Sequence, residues 1–326
     1  MEEQKKILME FSCKICGNKN GNQFYNVREM QFGTRDEFIY CQCSGCGCLQ
    51  LVNPPADLSK YYPKEYFSFQ IHKEKYLKQK LNVFRDRYAL GIKNNLGKLL
   101  FNRYGEPTYI GWLKKFNIDL ESKILDIGCG SGKLLYRMGN TGFKNLMGID
   151  AFIEKDIYYH NGVRIFKKDL NELTEKFDLI MMHHSLEHFE DQHGIFNKLS
   201  SMLTEGKNLL IRIPICSSYS WKFYRENWFA LEAPRHFYNH SLESIKYLAD
   251  KYRFEIINTF FDSRSIQFWG SEQYKRDIPL MDQRSFFINQ DNSIFSRVEI
   301  EKFERETERL NKIGEGDQAV LFMKKI

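Results

Sequence analysis

A chain of 326 residues, 42% hydrophobic and 28% charged, has the make-up of a soluble globular protein and the length for one core of about 200 residues with an attached module. No apolar run reaches the ~18 residues of a membrane-spanning helix, which excludes a helical integral membrane protein. The net charge of +6 is scattered along the chain without runs of one sign, so a nucleic-acid partner is not expected from electrostatics.

The opening residues, Met1 to Lys6, hold no apolar stretch with a cleavage site behind it, and a cytoplasmic location is expected. Six of the eight cysteines follow between residues 13 and 48. In a large cytosolic chain such density points to metal and away from disulfides. Cys13-Lys14-Ile15-Cys16-Gly17 and Cys43-Ser44-Gly45-Cys46-Gly47 are two knuckles whose four thiolates, Cys13, Cys16, Cys43 and Cys46, make the closed shell of a structural zinc. Cys41 and Cys48 break that spacing and read as packing residues. A redox role for either C-x-x-C would need a strand-helix context that is absent here. Residues 1–55 are therefore a zinc-ribbon module, with Phe24, Tyr25, Phe38 and Tyr40 on its strands and Asn53-Pro54-Pro55 as its close. Residues 56–115 form a helical bridge, with Tyr76, Leu77, Leu81, Phe84 and Tyr88 at helical spacing.

From residue 116 onward, apolar runs alternate with helical stretches, the pattern of a parallel α/β sheet. Strands are predicted at Lys123 to Ile127, Asn145 to Ile149, Val163 to Lys167, Phe177 to His183, Asn208 to Ile213, Phe254 to Phe261 and Gln318 to Lys324. Helices are predicted at Lys133 to Gly139, Gln192 to Leu203, Ser241 to Tyr252 and Ser296 to Asn311. Residues 262–314 are expected to be an insertion above the sheet.

The first of these strands runs through Asp126 into Gly128-Cys129-Gly130-Ser131-Gly132 and then a helix. Glycines at alternate positions permit positive φ and close approach of a ligand, and the helix start offers free N–H groups. The spacing is neither the G-x-G-x-x-G of dinucleotide enzymes nor that of phosphate loops, and Asp126 suits a cationic or amine-bearing ligand. Asp150 ends the second strand roughly 20 residues past the loop, the place of a ribose-binding carboxylate. Ala151 and Phe152 follow it, with Phe152 set against the adenine. Asp169 and Leu170 follow the third strand at the height of the adenine amino group, and His183 ends the fourth beside the cofactor.

Over about Lys123 to Pro214 the chain resembles the class I S-adenosylmethionine (SAM)-dependent methyltransferases. The likeness rests on the glycine loop, on Phe177-Asp178-Leu179-Ile180 running into Ser185-Leu186-Glu187-His188-Phe189-Glu190-Asp191, and on Gly206. It implies a Rossmann-like sheet with helices on both faces, SAM as cofactor and methyl transfer. The knuckles, Asn53-Pro54-Pro55 and the stretch from Tyr61 and Tyr62 to Tyr66 resemble the N-terminal zinc-binding region of bacterial sugar C-methyltransferases. That likeness implies a small-molecule acceptor, a sugar or nucleotide sugar methylated at carbon or oxygen, which Tyr61, Tyr62 and Tyr66 would reach, in polysaccharide or secondary-metabolite biosynthesis.

Removing the acceptor's proton requires a base near the end of the fourth strand, where His184, Glu187 and His188 stand. This run resembles the E-x-x-E-H of ubiquinone-biosynthesis O-methyltransferases, whose positions are associated with a divalent metal. His184 replaces the first Glu, which leaves the metal open, and Glu187 and His188 bracing the next helix is the alternative. Trp228 to Phe237 resembles the W-x(n)-P-R-H-x segment of the same enzymes. His236 is expected to be the base or to orient the acceptor, and Arg235 to bind the phosphates of a nucleotide sugar, with a surface ion pair as the alternative for either. His240 reads as structural. An RNA methyltransferase using the zinc module as a reader, and a non-catalytic zinc-bearing binding module, stay open as rival readings.

Overall fold

The computed structural model describes residues 10–63 and 76–326. Three strands come first, β1 (Gln23–Arg28), β2 (Glu37–Gln42) and β3 (Leu49–Leu51), then three helices, α1 (Tyr76–Ala89), α2 (Asn95–Tyr104) and α3 (Thr108–Lys115). The alternating region runs β4 (Lys123–Ile127), α4 (Lys133–Thr141), β5 (Asn145–Ile149), β6 (Ile157–Tyr158), β7 (Arg164–Phe166), β8 (Phe177–His183), α5 (Gln192–Met202) and β9 (Leu203–Pro214). The remainder is α6 (Tyr219–Tyr224), β10 (Tyr238–Asn239), α7 (Leu242–Lys251), β11 (Phe254–Phe261), α8 (Ile266–Lys275), α9 (Arg297–Ile313) and β12 (Gln318–Lys325).

Strands β4, β5, β8 and β11 have the predicted bounds. The strand predicted over Val163 to Lys167 is shorter, because the Lys167 N–H goes to the Asp156 carboxylate at 2.8 Å and leaves the ladder. The fifth strand starts five residues early, at Leu203, through polar and exposed positions that the apolar pattern passes over. Helices α7 and α9 begin where serines foretell it: Ser241 and Ser296 each close a capping box with the residue three further on.

Two compact units divide the chain. One comprises Lys64–His183, Lys198–Leu210 and Lys324–Ile326. Its strands lie in the order β9-β8-β4-β5-β7-β6, with β4 parallel to both β5 and β8 and β5 parallel to β7. Central β4 buries Ile124, Leu125 and Ile127, as a strand covered on both faces must. The bridge helices are tied to this α/β layer by a polar bond, since the buried Asp86 carboxylate of α1 accepts from Arg137 of α4 (2.6 and 2.7 Å) and from Tyr109 of α3 (2.8 Å). A buried carboxylate needs such a full set of donors to keep its charge.

The other unit comprises Met1–Pro63, His184–Asn197 and Ile211–Met323. It holds an antiparallel sheet, β1-β2-β3-β10, whose last strand comes from far along the chain: Leu49 pairs with Asn239 and Gln50 with Tyr238. It also holds the strand order β11-β12-β9. The stretches read separately in sequence, 1–55 and 262–314, share one core here. Val27, Tyr40, Leu49 and Leu51 pack in a cluster with Trp221, Trp228, Phe268 and Leu310, and Met30 with Trp269, Leu280 and Phe295. The ribbon has too few aliphatic side chains for a core of its own, and residues 262–314, expected as an insertion above the sheet, furnish part of what it lacks.

Candidate functional site

In the α/β unit, β4 delivers the chain into the glycine loop. Gly128, Gly130 and Gly132 all have positive φ (70, 54 and 71°), and a Cβ at Gly132 would lie 2.3 Å from Ile165 Cδ1. Only glycine serves there. Gly128 N and Cys129 N both donate to Ile149 O (2.9 and 3.2 Å). The Cys129 side chain occupies the room a Cβ on Gly148 would need. Asp150, 8% exposed, accepts from Gly130 N through Oδ2 and from Phe152 N through Oδ1, both at 2.9 Å. The expected ribose ligand is thus also the clamp that shapes the loop.

Asp126 is buried, and its Oδ1 has no hydrogen-bond partner among the described residues. Burial, and then the neighbouring Asp150, push its pKa up to about 8. A buried carboxylate oxygen without a donor is stabilised by a cation or a strong donor supplied from outside. Ala151 and Phe152 are exposed, Phe152 at 67%, and an apolar ring so placed suits a stacking partner. Asp169 caps a short helical turn at Leu170–Glu172, accepting from Asn171 N at 2.8 Å, while Leu170 is buried. His183 stacks on Trp112 with ring centres 5.1 Å apart. The sequence reading missed Trp112 here, and also Tyr159, whose hydroxyl donates to Ser131 O at 2.6 Å.

In the other unit, Glu187, His188 and His236 converge, with ligand atoms all within 4.8 Å of one another. His188 Nδ1 lies 2.9 Å from Arg235 O and His236 Nδ1 lies 2.9 Å from Ala230 O. A carbonyl only accepts, so both rings carry their proton on Nδ1 and present a bare Nε2. Burial holds both histidines down to about 4. Glu187 is 1% exposed and neither carboxylate oxygen has a hydrogen bond among the described residues. Burial alone would raise its pKa, but His184, His236 and His188 outweigh it and bring it to about 2. Tyr62 is half-buried, its hydroxyl 3.4 Å from His188 Nδ1. Tyr66 lies outside the described residues.

Two expectations change. His184, placed by the resemblance among the metal-associated positions, points its Nε2 at Arg212 Nη1 at 2.8 Å. Arginine only donates, so that lone pair is used, and His236 takes its place in the cluster. Arg235 does not face outward to an acceptor. It is wholly buried, donates to Tyr61 O at 3.3 Å and to Gln31 Oε1, and stands 3.8 and 3.5 Å from the carboxylates of Glu29 and Glu232. A guanidinium can be buried only among such partners, and Glu29 and Gln31, some 200 positions away in sequence, gave no signal of the pairing.

The four knuckle cysteines also converge within 4.8 Å. Cys13 and Cys46 sulfurs are 3.6 Å apart and those of Cys16 and Cys43 3.5 Å. Backbone N–H groups of Cys16, Gly45 and Cys46 point at the Cys13 and Cys43 sulfurs, and the Gln50 amide reaches Cys13 Sγ at 2.8 Å. Donors to sulfur stabilise thiolate, so the donor set fits a tetrahedral zinc. Cys41 packs with Phe11 and Val52, and Cys48 is buried against Asn239 O.

Residues 101–259 match the family model of a methyltransferase domain. Over those residues the chain is similar to that methyltransferase domain. Among individual proteins it is similar to human EEF1A lysine methyltransferase 2, 30% identical over 79 residues (24% of this chain, 31% of that one). It is also similar to the tRNA U34 carboxymethyltransferase of Campylobacter hominis, 30% identical over 113 residues (30% and 40%). The chain spans between about a third and two-fifths of the length of these relatives. Among solved structures, the magnesium protoporphyrin IX methyltransferase of Synechocystis PCC 6803 with bound SAH matches 82% of this chain and 97% of its own at 13% identity and a TM-score of 0.44.

Proposed function

We propose that this protein transfers a methyl group from SAM to a small-molecule acceptor, a sugar or nucleotide sugar, at carbon or oxygen. The observation that carries the cofactor half is the buried Asp126 carboxylate, whose Oδ1 has no hydrogen-bond donor among the described residues, just ahead of a loop whose glycines all have positive φ. Its charge would meet the positively charged end of SAM, Asp150 the ribose and Phe152 the adenine. SAM supplies an electrophilic methyl on a sulfonium, and the acceptor's nucleophilic atom takes that methyl as the carbon–sulfur bond breaks. The proton lost by the acceptor needs a base, and a neutral imidazole at His236, its Nδ1–H held by Ala230 O, has the chemistry of one. Arg235 acts as a positioning residue for Tyr61 and for the segment that carries His236.

Two stretches of relatives favour a second reading, a macromolecular acceptor, since one relative is named for a protein lysine and another for tRNA. Isothermal calorimetry with SAM and SAH tests the cofactor half, and absence of binding to either removes the methyltransferase reading. Transfer of labelled methyl to a panel of nucleotide sugars, against bulk tRNA and total protein, tests the acceptor. Label in tRNA or protein alone would replace the sugar. His236→Ala is expected to abolish transfer while leaving SAM affinity within about twofold.

A further inference from the structure

We infer that helices α1 and α2 form a docking face for the surface of a lipid bilayer carrying anionic headgroups. Between Tyr76 and Gly105 stand seven lysines and arginines against one acid, Asp86, an excess as large as the net +6 of the whole chain. That acid is buried and held by Arg137, and the next along the chain, Glu106, is paired with Lys114 at 2.6 Å. Lys78, Lys93, Lys98 and Arg103 are exposed. The outward charge of the two helices is therefore of one sign, although no two of these cations are adjacent in sequence.

Between its charges the same surface is apolar. Leu77 and Phe84 are exposed on α1, Leu96 and Leu99 on α2, and Ile92 in the turn between them, with Leu77 at 70% and Leu99 at 66%. Spacing by three and four puts Leu96, Leu99 and Arg103 on one stripe of α2. These side chains are not the loose end of an unfinished core. A Cβ on Gly97 would fall 2.3 Å from Phe84 O, and Tyr88 meets Phe101 with ring centres 5.5 Å apart, so α2 already lies close against α1 and keeps its leucines outside. An exposed apolar patch among cations marks a surface that something covers.

Charge complementarity selects the occupant. A second copy joined through this face would set one cationic surface against its equal, because a two-fold contact brings the same patch together twice. A nucleic acid would satisfy the cations, but leucine and isoleucine offer its phosphates nothing, and its bases stack on aromatic rings. An anionic bilayer satisfies both halves: the leucines enter the boundary between headgroups and acyl chains, and the lysines lay their stems along it with the ammonium groups among the phosphates. Tyr104, exposed and with the Arg103 guanidinium 5.5 Å from its ring centre, has the apolar ring and polar tip that suit the headgroup level. Such docking is a property beyond methyl transfer and does not depend on it.

Flotation of the full chain with vesicles tests the face. Vesicles of phosphatidylcholine with about one third phosphatidylglycerol should carry the chain, vesicles of phosphatidylcholine alone should not, and salt at about 1 M, where the screening length falls to about 3 Å, should release it. A lysine near an anionic surface raises the partition about fivefold, so Lys93→Glu with Lys98→Glu should lower it at least about 30-fold, while Lys93→Arg with Lys98→Arg should leave it as it was. Leu96→Ser with Leu99→Ser should lower it about tenfold or more at unchanged charge. All four positions are exposed, and unchanged circular dichroism and melting temperature would report that the variants fold; should one not fold, the lipid and salt comparisons on the unaltered chain decide. No flotation with the anionic vesicles, equal flotation with the neutral ones, or folded glutamate or serine variants that float like the parent overturn the face. So does an oligomer in sedimentation that the leucine variant takes apart, which gives the face to a second copy, or equally tight binding of bulk RNA or polyglutamate that the leucine variant leaves unchanged, which gives it to a soluble polyanion. Failure here leaves methyl transfer as proposed, and a chain that fails to bind SAM can still float.

Discussion

The Asp150 carboxylate accepts the backbone N–H of Gly130 at 2.9 Å through one oxygen and that of Phe152 at 2.9 Å through the other. A residue expected to serve a ligand is therefore part of the loop's own frame. Hydrogen bonds to a charged acceptor are worth about 1.5–3 kcal/mol each. Asp150→Ala should lower unfolding stability by about 2 kcal/mol in urea titrations and weaken SAM at least about tenfold. Asp150→Asn, which keeps one acceptor oxygen, should fall between. A loss of affinity with unchanged stability would show that the clamp contributes nothing.

Asp126 makes the SAM reading pH-dependent. Burial raises its pKa from the usual 3.8 to about 8, so its contribution to stability is complete below the usual value and is lost as pH rises through about 8. The cofactor-free chain should melt at lower temperature at pH 9 than at pH 6, and Asp126→Asn should flatten that slope. A ligand cation that pairs with the carboxylate must displace the proton at pH 7. Calorimetry in buffers of different ionisation enthalpy should then show proton release on SAM binding, and none in Asp126→Asn.

The buried histidines act in the opposite direction. His188, His236 and His240 are all lowered by burial from 6.5 to about 4. Depressed groups stabilise above the unfolded value, and that stability disappears as pH falls from about 6.5 through about 4. The melting temperature should drop across this window. His240, which contacts Gln192 Oε1 at 3.1 Å and Ser244 Oγ at 3.0 Å, gives the clean variant: His240→Gln should make the acid slope shallower in melts at matched pH, and an unaltered slope would place the titrating groups elsewhere.

Gly132 has no substitute of its own size. Alanine would have to hold φ near +71°, at about 1–2 kcal/mol, and would press its Cβ on Ile165. Gly132→Ala should lose more than that backbone cost in chemical denaturation. Ile165→Val in the same chain, which removes Cδ1 but keeps a Cγ at the position 2.7 Å from the added Cβ, should relieve part of the clash and none of the backbone share.

At the cysteine site, Gln50→Leu removes the amide that donates to Cys13 Sγ. Losing such a supporting group should weaken zinc roughly 10–100-fold, measured by competition with a chromophoric chelator. Because the ribbon shares its core with Phe268 and Leu310, full chelation should lower the melting temperature of the whole unit and not only unravel residues 10–55.

What the sequence by itself determined is whatever depends on neighbours along the chain. The glycine loop after β4, Asp150 at the end of β5, the C-x-x-C-G knuckles and the caps at Ser241 and Ser296 each follow from a few adjacent residues obeying backbone geometry, and all were legible. The tertiary structure decided what depends on residues far apart: that Arg235 spends its charge on Glu29, Gln31 and Glu232, that Tyr238–Asn239 completes the ribbon sheet, and that His236 instead of His184 joins Glu187 and His188. Burial and hydrogen-bond completion act through space, so a buried charge takes whichever partner the fold brings to it, and no local pattern marks that partner beforehand.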